Sequence, residues 1–207
     1  QVYVRRNPPS AGRSPLEIRA SELHYHEVAQ RIDLIGDVSL REGAREARAE
    51  QANVYLDQGE VRRIEMTQSS GRERPAGRTV SFEAGAATLW YGPRQRLEKI
   101  VGRTKARLRS VSEHSSLTAW GERLELVYTH LRDGEESVLR EADVRERAGI
   151  ETAPGPSDPR ARVGDSGRLA KPPPARPRRR VLSEWIHLTM RPGGEEVDRV
   201  ETLAPGT

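Results

Sequence analysis

The stretch Arg31–Leu40, RIDLIGDVSL, decides the fold. In an extended chain successive side chains point to opposite faces. Ile32, Leu34, Val38 and Leu40 then share one face, with Gly36 on the same parity, while Arg31, Asp33, Asp37 and Ser39 share the other. This is the pattern of a half-buried strand. It recurs outward from there. Ala52, Val54 and Leu56 alternate with polar neighbours in QANVYLD, and Val80, Phe82 and Ala84 do so in GRTVSFEA. Ile100, Gly102, Thr104, Ala106 and Leu108 form another such run, as do Leu124, Leu126 and Tyr128. The stretch Glu42–Leu56 contains good helix formers, but its apolar positions are mostly alanine and follow the strand parity better. Turn residues punctuate the runs, as at Asp57-Gln58-Gly59-Glu60 and Arg132-Asp133-Gly134-Glu135. Many short alternating runs at regular spacing predict an all-β sandwich, barrel or roll.

The pattern is also an internal repeat. Ala20, Leu23 and Tyr25, then a polar turn, then the apolar strand through Gly36, reappear as Ala87, Leu89 and Tyr91, a turn at Gly92-Pro93, then Ile100 and Gly102. A third copy opens at Leu117 and turns at Asp133-Gly134 before Val138, Ala142 and Val144. A fourth carries Ile186, Leu188 and Met190 before a Pro-Gly-Gly turn, and is cut short at Thr207. Hairpins that cannot bury a face alone do so by stacking, which predicts an elongated antiparallel β-roll.

The chain has 207 residues, room for one all-β domain. Residues 151–180 hold seven of the fourteen prolines and eight Lys or Arg against three acids, so the net charge of +4 is local and the other 177 residues sum to −1. That stretch is expected to be a disordered insert, because it has too few bulky apolar side chains to offset the entropy of ordering. Residues 1–14 are expected to be a loose N-terminal segment, 15–150 the repeats, and 181–207 a further hairpin of the same roll. No run of eighteen apolar residues occurs, and there is no cysteine, which excludes disulfides and thiolate metal sites. The first residue is Gln1 rather than Met, so any export signal or anchor has been removed or lies upstream, and membrane association would come through a segment outside this chain.

The repeat unit Ala-x-x-Leu-x-Tyr, turn, apolar strand, Gly-Asp-Val-x-Leu resembles the LptA/OstA-type (organic solvent tolerance-like) family of lipopolysaccharide-transport proteins. The match is carried by Ala20–Leu40 with Gly36-Asp37-Val38, by Ala49–Leu56 and by the return through Val61 and Ile64. It extends over residues 16–150 and resumes at Val181. The resemblance implies a β-jellyroll open along one edge, working without catalysis in the periplasm as part of a bridge between inner and outer membrane. Lipid A acyl chains of lipopolysaccharide would be held between the sheets, and other Lpt-type jellyrolls, or further copies of the chain, would be joined end to end by strand pairing. The expected apolar trough comprises Ile32, Leu34, Val38, Leu40, Val54, Leu56, Val80, Phe82, Leu89, Ile100, Leu108, Leu124 and Leu126. Its aliphatic character, with a single Phe in the chain, suits acyl chains, although inward apolar residues are also the default of any sandwich core. The competing reading is an envelope scaffold of β-repeats that self-associates by its strand edges and binds no lipid.

Signals for catalysis are weak. Gly164-Asp165-Ser166-Gly167 has the form of a serine-protease nucleophile motif but sits in the Pro/Arg-rich stretch, without a framework for an oxyanion hole. Glu22, His24 and His26 share one strand face, an arrangement that fits solvated side chains better than a metal site, since no fourth ligand is in view. No phosphate loop or dinucleotide fingerprint is present. Trp90, Trp120 and Trp185 are scattered, so neither a base-stacking platform nor a basic stripe supports nucleic-acid binding. No enzyme activity, no cofactor and no metal are expected.

Overall fold

A computed structural model describes residues 2–6, 14–74, 77–113, 115–129, 137–154, 178–192 and 197–203. Strands are β1 (Val2–Arg6), β2 (Leu16–Ala20), β3 (Glu22–His26), β4 (Arg31–Glu42), β5 (Arg45–Asp57), β6 (Glu60–Glu73), β7 (Arg78–Tyr91), β8 (Leu97–Ser112), β9 (Ser115–Thr129), β10 (Val138–Pro154), β11 (Arg179–Met190) and β12 (Val197–Leu203). They form one antiparallel sheet in the order β1-β2-β4-β5-β6-β7-β8-β9-β10-β11-β12, with β3 also on β4. The all-β architecture read from the alternation, in the jellyroll form that the resemblance implies, is the architecture found, and Glu42–Leu56, the best helical competitor, is strand.

Strands β4 to β11 run for 12–17 residues, well beyond the usual five or six, because each serves two walls. Midway along them the register slips, between Ile35 and Val38 on β4, Arg103 and Ala106 on β8, and Arg145 and Ala148 on β10. The residues that bulge out there take positive φ: Gly36 (72°) and Asp37 (48°), Thr104 (63°) and Lys105 (55°), Glu146 (62°) and Arg147 (57°). Gln68 on β6 (48°) completes the series, so the bend falls on every second strand. A bulge adds one residue to one strand of a pair and bends it. Bulges on β4, β8 and β10, with the positive φ of Gln68 at the matching place on β6, where no residue is added, fold the sheet into two facing walls. Residues before the bend of β4 (Arg31–Ile35), and their neighbours across the sheet, form the front wall; Val38–Glu42 and their neighbours form the back wall.

Gly36-Asp37, quoted in the repeat, is thus the first bend, and Ser21, which separates β2 from β3, donates its N–H to the carbonyls of Ile35 (3.1 Å) and Gly36 (2.8 Å) to close it. Gly102 does not play the part of Gly36 in the later copy. It stays in register with Ala87 and Leu124, and the bulge comes two residues later, leaving Thr104 exposed rather than inward. What Gly102 supplies is space, since a Cβ there would lie 3.2 Å from that of Ala84.

The core lies between the walls. Beside the bend the back wall offers mainly small residues, Ala49, Ser69, Ala84, Ala106, Gly121 and Ala148, while the front wall sets Leu34, Met66, Leu124 and Ile186 among the smaller Ala52, Ala87 and Gly102, all buried. Small facing large lets the walls close together near the fold line. Of the expected loose segment 1–14, Val2–Arg6 pair with β2, and residues 7–13 lie outside the described residues. Glu151–Pro154 end β10 and Arg179–Arg180 open β11, whereas 155–177, with Gly164-Asp165-Ser166-Gly167, lie outside them.

Candidate functional site: the interior and its mouth

The thirteen residues expected to line the interior are brought together. Leu34, Val38, Leu40, Val54, Val80, Phe82, Leu89, Ile100, Leu108, Leu124 and Leu126 are buried in one continuous cluster, and Ile32 and Leu56 pack against it partly buried. Their side chains fill the space. Near the open ends of the strands a cavity of about 50 Å³ remains, bordered by Leu40, Ala47, Val80 and Phe82 of the back wall and Leu89, Leu97, Ile100 and Leu126 of the front wall. Sites for small organic ligands usually measure about 300–1,000 Å³, several times the volume of this cavity.

The rim of this cavity is polar and was not legible beforehand. Arg45, at the start of β5 on the back wall, donates from Nε (3.0 Å) and Nη2 (2.8 Å) to Oε1 of Glu73, its register partner on β6. Its Nη2 also donates to the carbonyl oxygen of Ser137, just ahead of β10 on the front wall. The guanidinium stands 5.5 Å from the ring of Tyr128, at the front-wall end of β9. One back-wall arginine therefore holds two front-wall elements and ties the mouth shut. Its side chain is 15% exposed and that of Glu73 16%, so the pair is largely withdrawn from water. Burial works against the Arg45 charge, yet Glu73 and Tyr128 more than compensate and hold its pKa above the ordinary value.

Tyr91 and Tyr128 border the same rim. Burial, reinforced by Glu73 for Tyr128 and by Glu42 for Tyr91, raises both phenols well above the normal tyrosine value. An acid whose folded pKa is raised contributes stability below its unfolded pKa and loses it as pH rises past that point. Stability is therefore expected to fall above pH ~10, by about 1.4 kcal/mol per pH unit for each tyrosine. Melting curves from pH 8 to 11 check this, and Tyr128→Phe should flatten the alkaline slope.

No family model matches the chain, and no curated protein matches it. Among solved structures it is similar to LptH, the LptA homologous periplasmic component of the conserved lipopolysaccharide transport device from Pseudomonas aeruginosa. The two are 12% identical over 64% of this chain and 83% of that one, with a TM-score of 0.48. It is a likeness in fold.

The histidines on β3 are held separately. His26 Nε2 lies 2.7 Å from Asp33 Oδ2 across the strand pair, and His24 Nε2 lies 3.6 Å from Glu22 Oε2. Among the described residues no three His, Asp or Glu converge on a point, and no helix is long and apolar enough to cross a membrane.

The two ends of the sheet carry the second candidate surface. At the N-terminal end β1 extends the back wall and β3 edges the front wall; at the C-terminal end β12 extends the front wall and the Arg179–Ser183 part of β11 edges the back wall. Among the described residues each wall thus has ten strands, β3–β12 in front and β1, β2 and β4–β11 behind, offset by one strand. Exposed large apolar side chains gather at these ends. Tyr3, Tyr25, Val28 and Ile35 stand at one, Val181, Leu182, Val200 and Leu203 at the other, and only Trp90 lies in between among the described residues.

Proposed function

We propose that this chain is a non-enzymatic, periplasmic lipopolysaccharide-binding segment of a bridge between inner and outer membrane, stacked end to end with like jellyrolls. The observation that carries this reading is the offset of the two ends. A second copy set against the C-terminal end would lay its β3 along β12 in front and its β1 along Arg179–Ser183 behind, every new pair antiparallel and every offset filled. The free N–H and C=O groups of edge strands favour such addition. The walls of successive copies would then run on without interruption, and acyl chains would lie between them on the thirteen interior residues. Because those side chains fill the interior, lipid is admitted when the mouth at Arg45 parts.

A second reading rests on that same filled interior: a self-associating envelope scaffold that binds no lipid. One photocrosslinking experiment separates the two. Benzoylphenylalanine is placed at Tyr91 in the rim, at Tyr25 on the β3 edge and at Trp90 on the outer face. With purified lipopolysaccharide present, the Tyr91 variant is expected to capture lipid, the Tyr25 variant to give a ladder of protein multimers, and the Trp90 variant neither. A ladder without lipid capture selects the scaffold; monomer at Tyr25 at every concentration overturns the bridge.

A further inference from the structure

We propose that the outer face of the back wall is a binding basin for a compact phosphate dianion. It is separate from the interior and independent of the function proposed above. The register sets two rows of outward residues across β5 to β8: Arg48, Ser70, Glu83 and Arg107 in one, Glu46, Arg72, Ser81 and Arg109 in the other. Long arginines stand around two short serines, and the result is a hollow of about 450 Å³. A flat polar sheet face has no such depression unless small residues sit at its centre, and here Ser70 and Ser81 do, on adjacent strands.

The charges differ from those on the other wall. At the centre of the front wall's outer face Arg31 holds Asp33 (2.7 Å), Arg63 holds Glu65 (3.3 Å), and Arg123 (3.1 Å) and Lys99 (3.4 Å) share Glu125. In the basin Arg48 holds Glu46 (2.7 Å), but Arg72, Arg107 and Arg109 form no ion pair with the described residues. Four arginines against two glutamates leave an excess of +2, matching a phosphate dianion. Guanidinium groups bind phosphate oxygens in bidentate fashion, and the serine hydroxyls below can donate to the remaining oxygens. Each row carries one glutamate, Glu83 inside the first and Glu46 at the end of the second, and these repel an extended polyanion, so the basin selects a compact phosphate over a nucleic-acid backbone.

The test is calorimetric titration of the whole chain with inorganic phosphate and with pyrophosphate at low ionic strength, alongside flotation with phosphatidylcholine vesicles with and without phosphatidic acid. Arg72→Gln/Arg107→Gln is expected to weaken binding at least tenfold, whereas Arg123→Gln on the front wall leaves it unchanged. All these side chains are on outer faces, and unaltered melting of the variants verifies the fold. Binding in titration alone assigns a soluble phosphate, and flotation that depends on Arg72 and Arg107 assigns a lipid headgroup. Absence of binding in both arms, or an equal loss in Arg123→Gln, overturns the proposal.

Discussion

Arg45→Ala is expected to lower stability by about 3–5 kcal/mol, because it strands Glu73 in a largely buried position without its partner. For a chain of this size that corresponds to a fall of roughly 10 °C in Tm. The loss should be specific to leaving one charge behind. Replacing both members, Arg45→Met with Glu73→Leu, removes the buried charge altogether and should recover most of the stability, since apolar substitutes for a buried ion pair are often neutral or better. Thermal unfolding of the three variants decides the matter, and a change below ~1 kcal/mol for Arg45→Ala would show that the mouth is held by something else. The single variant also bears on the proposed carrier role: with the contacts to Ser137 and Tyr128 gone, lipid capture at Tyr91 should increase at temperatures where the protein remains folded.

The second large effect is expected at Phe82, the only phenylalanine in the chain. Its ring lies directly over Gly71, its register partner on β6, where an added Cβ would come within 2.0 Å of the ring. Phe82→Ala should cost about 3–5 kcal/mol through lost burial and the void left behind. That void would join the 50 Å³ cavity, which Phe82 already borders. Gly71→Ala should cost about 1–3 kcal/mol, because the ring must leave its place and its neighbours are closely packed. The two changes relieve each other, so Gly71→Ala/Phe82→Ala should be less damaging than the sum of the single variants. Denaturant titrations of the cycle give the coupling directly. Strict additivity would mean that the ring and the glycine do not depend on each other.

What the sequence disclosed and what it concealed follow from the bend. On β4 the parity survives the bulge, so Ile32, Leu34, Val38 and Leu40 all face inward, and within the front wall Leu124 to Tyr128 face inward as their parity says. On β5 the inward set changes from odd to even across the bend, Ala47 and Ala49 before it and Ala52 and Val54 after it. Carrying the parity of QANVYLD backward puts Glu46 and Arg48 inside and Arg45 outside, which is the reverse of their positions. Arg45 was hidden by that switch and by being one among many arginines. The detectable signal was the alternation of Arg45 with Ala47 and Ala49, an arginine on the small-residue face. The basin on the back wall was hidden for another reason: it depends on which residues of four strands stand side by side, and register is not written in any one strand.

The position of the bends also governs how such a chain can change in length. The positive-φ residues there fall on β4, β6, β8 and β10, strands that run from front wall to back, whereas the returning strands cross the bend without them. A single strand gained or lost would reverse the direction of everything after it and put positive-φ bends on strands that now cross without them. A hairpin of one strand of each kind can be duplicated or deleted without such a penalty, each adding about 10 Å to the molecule at the usual strand spacing. Evolution can therefore tune the reach of this architecture only in whole hairpins. Single added residues are accommodated inside strands as bulges, as on β4, β8 and β10, whereas the long tract 155–177 falls in sequence between β10 and β11.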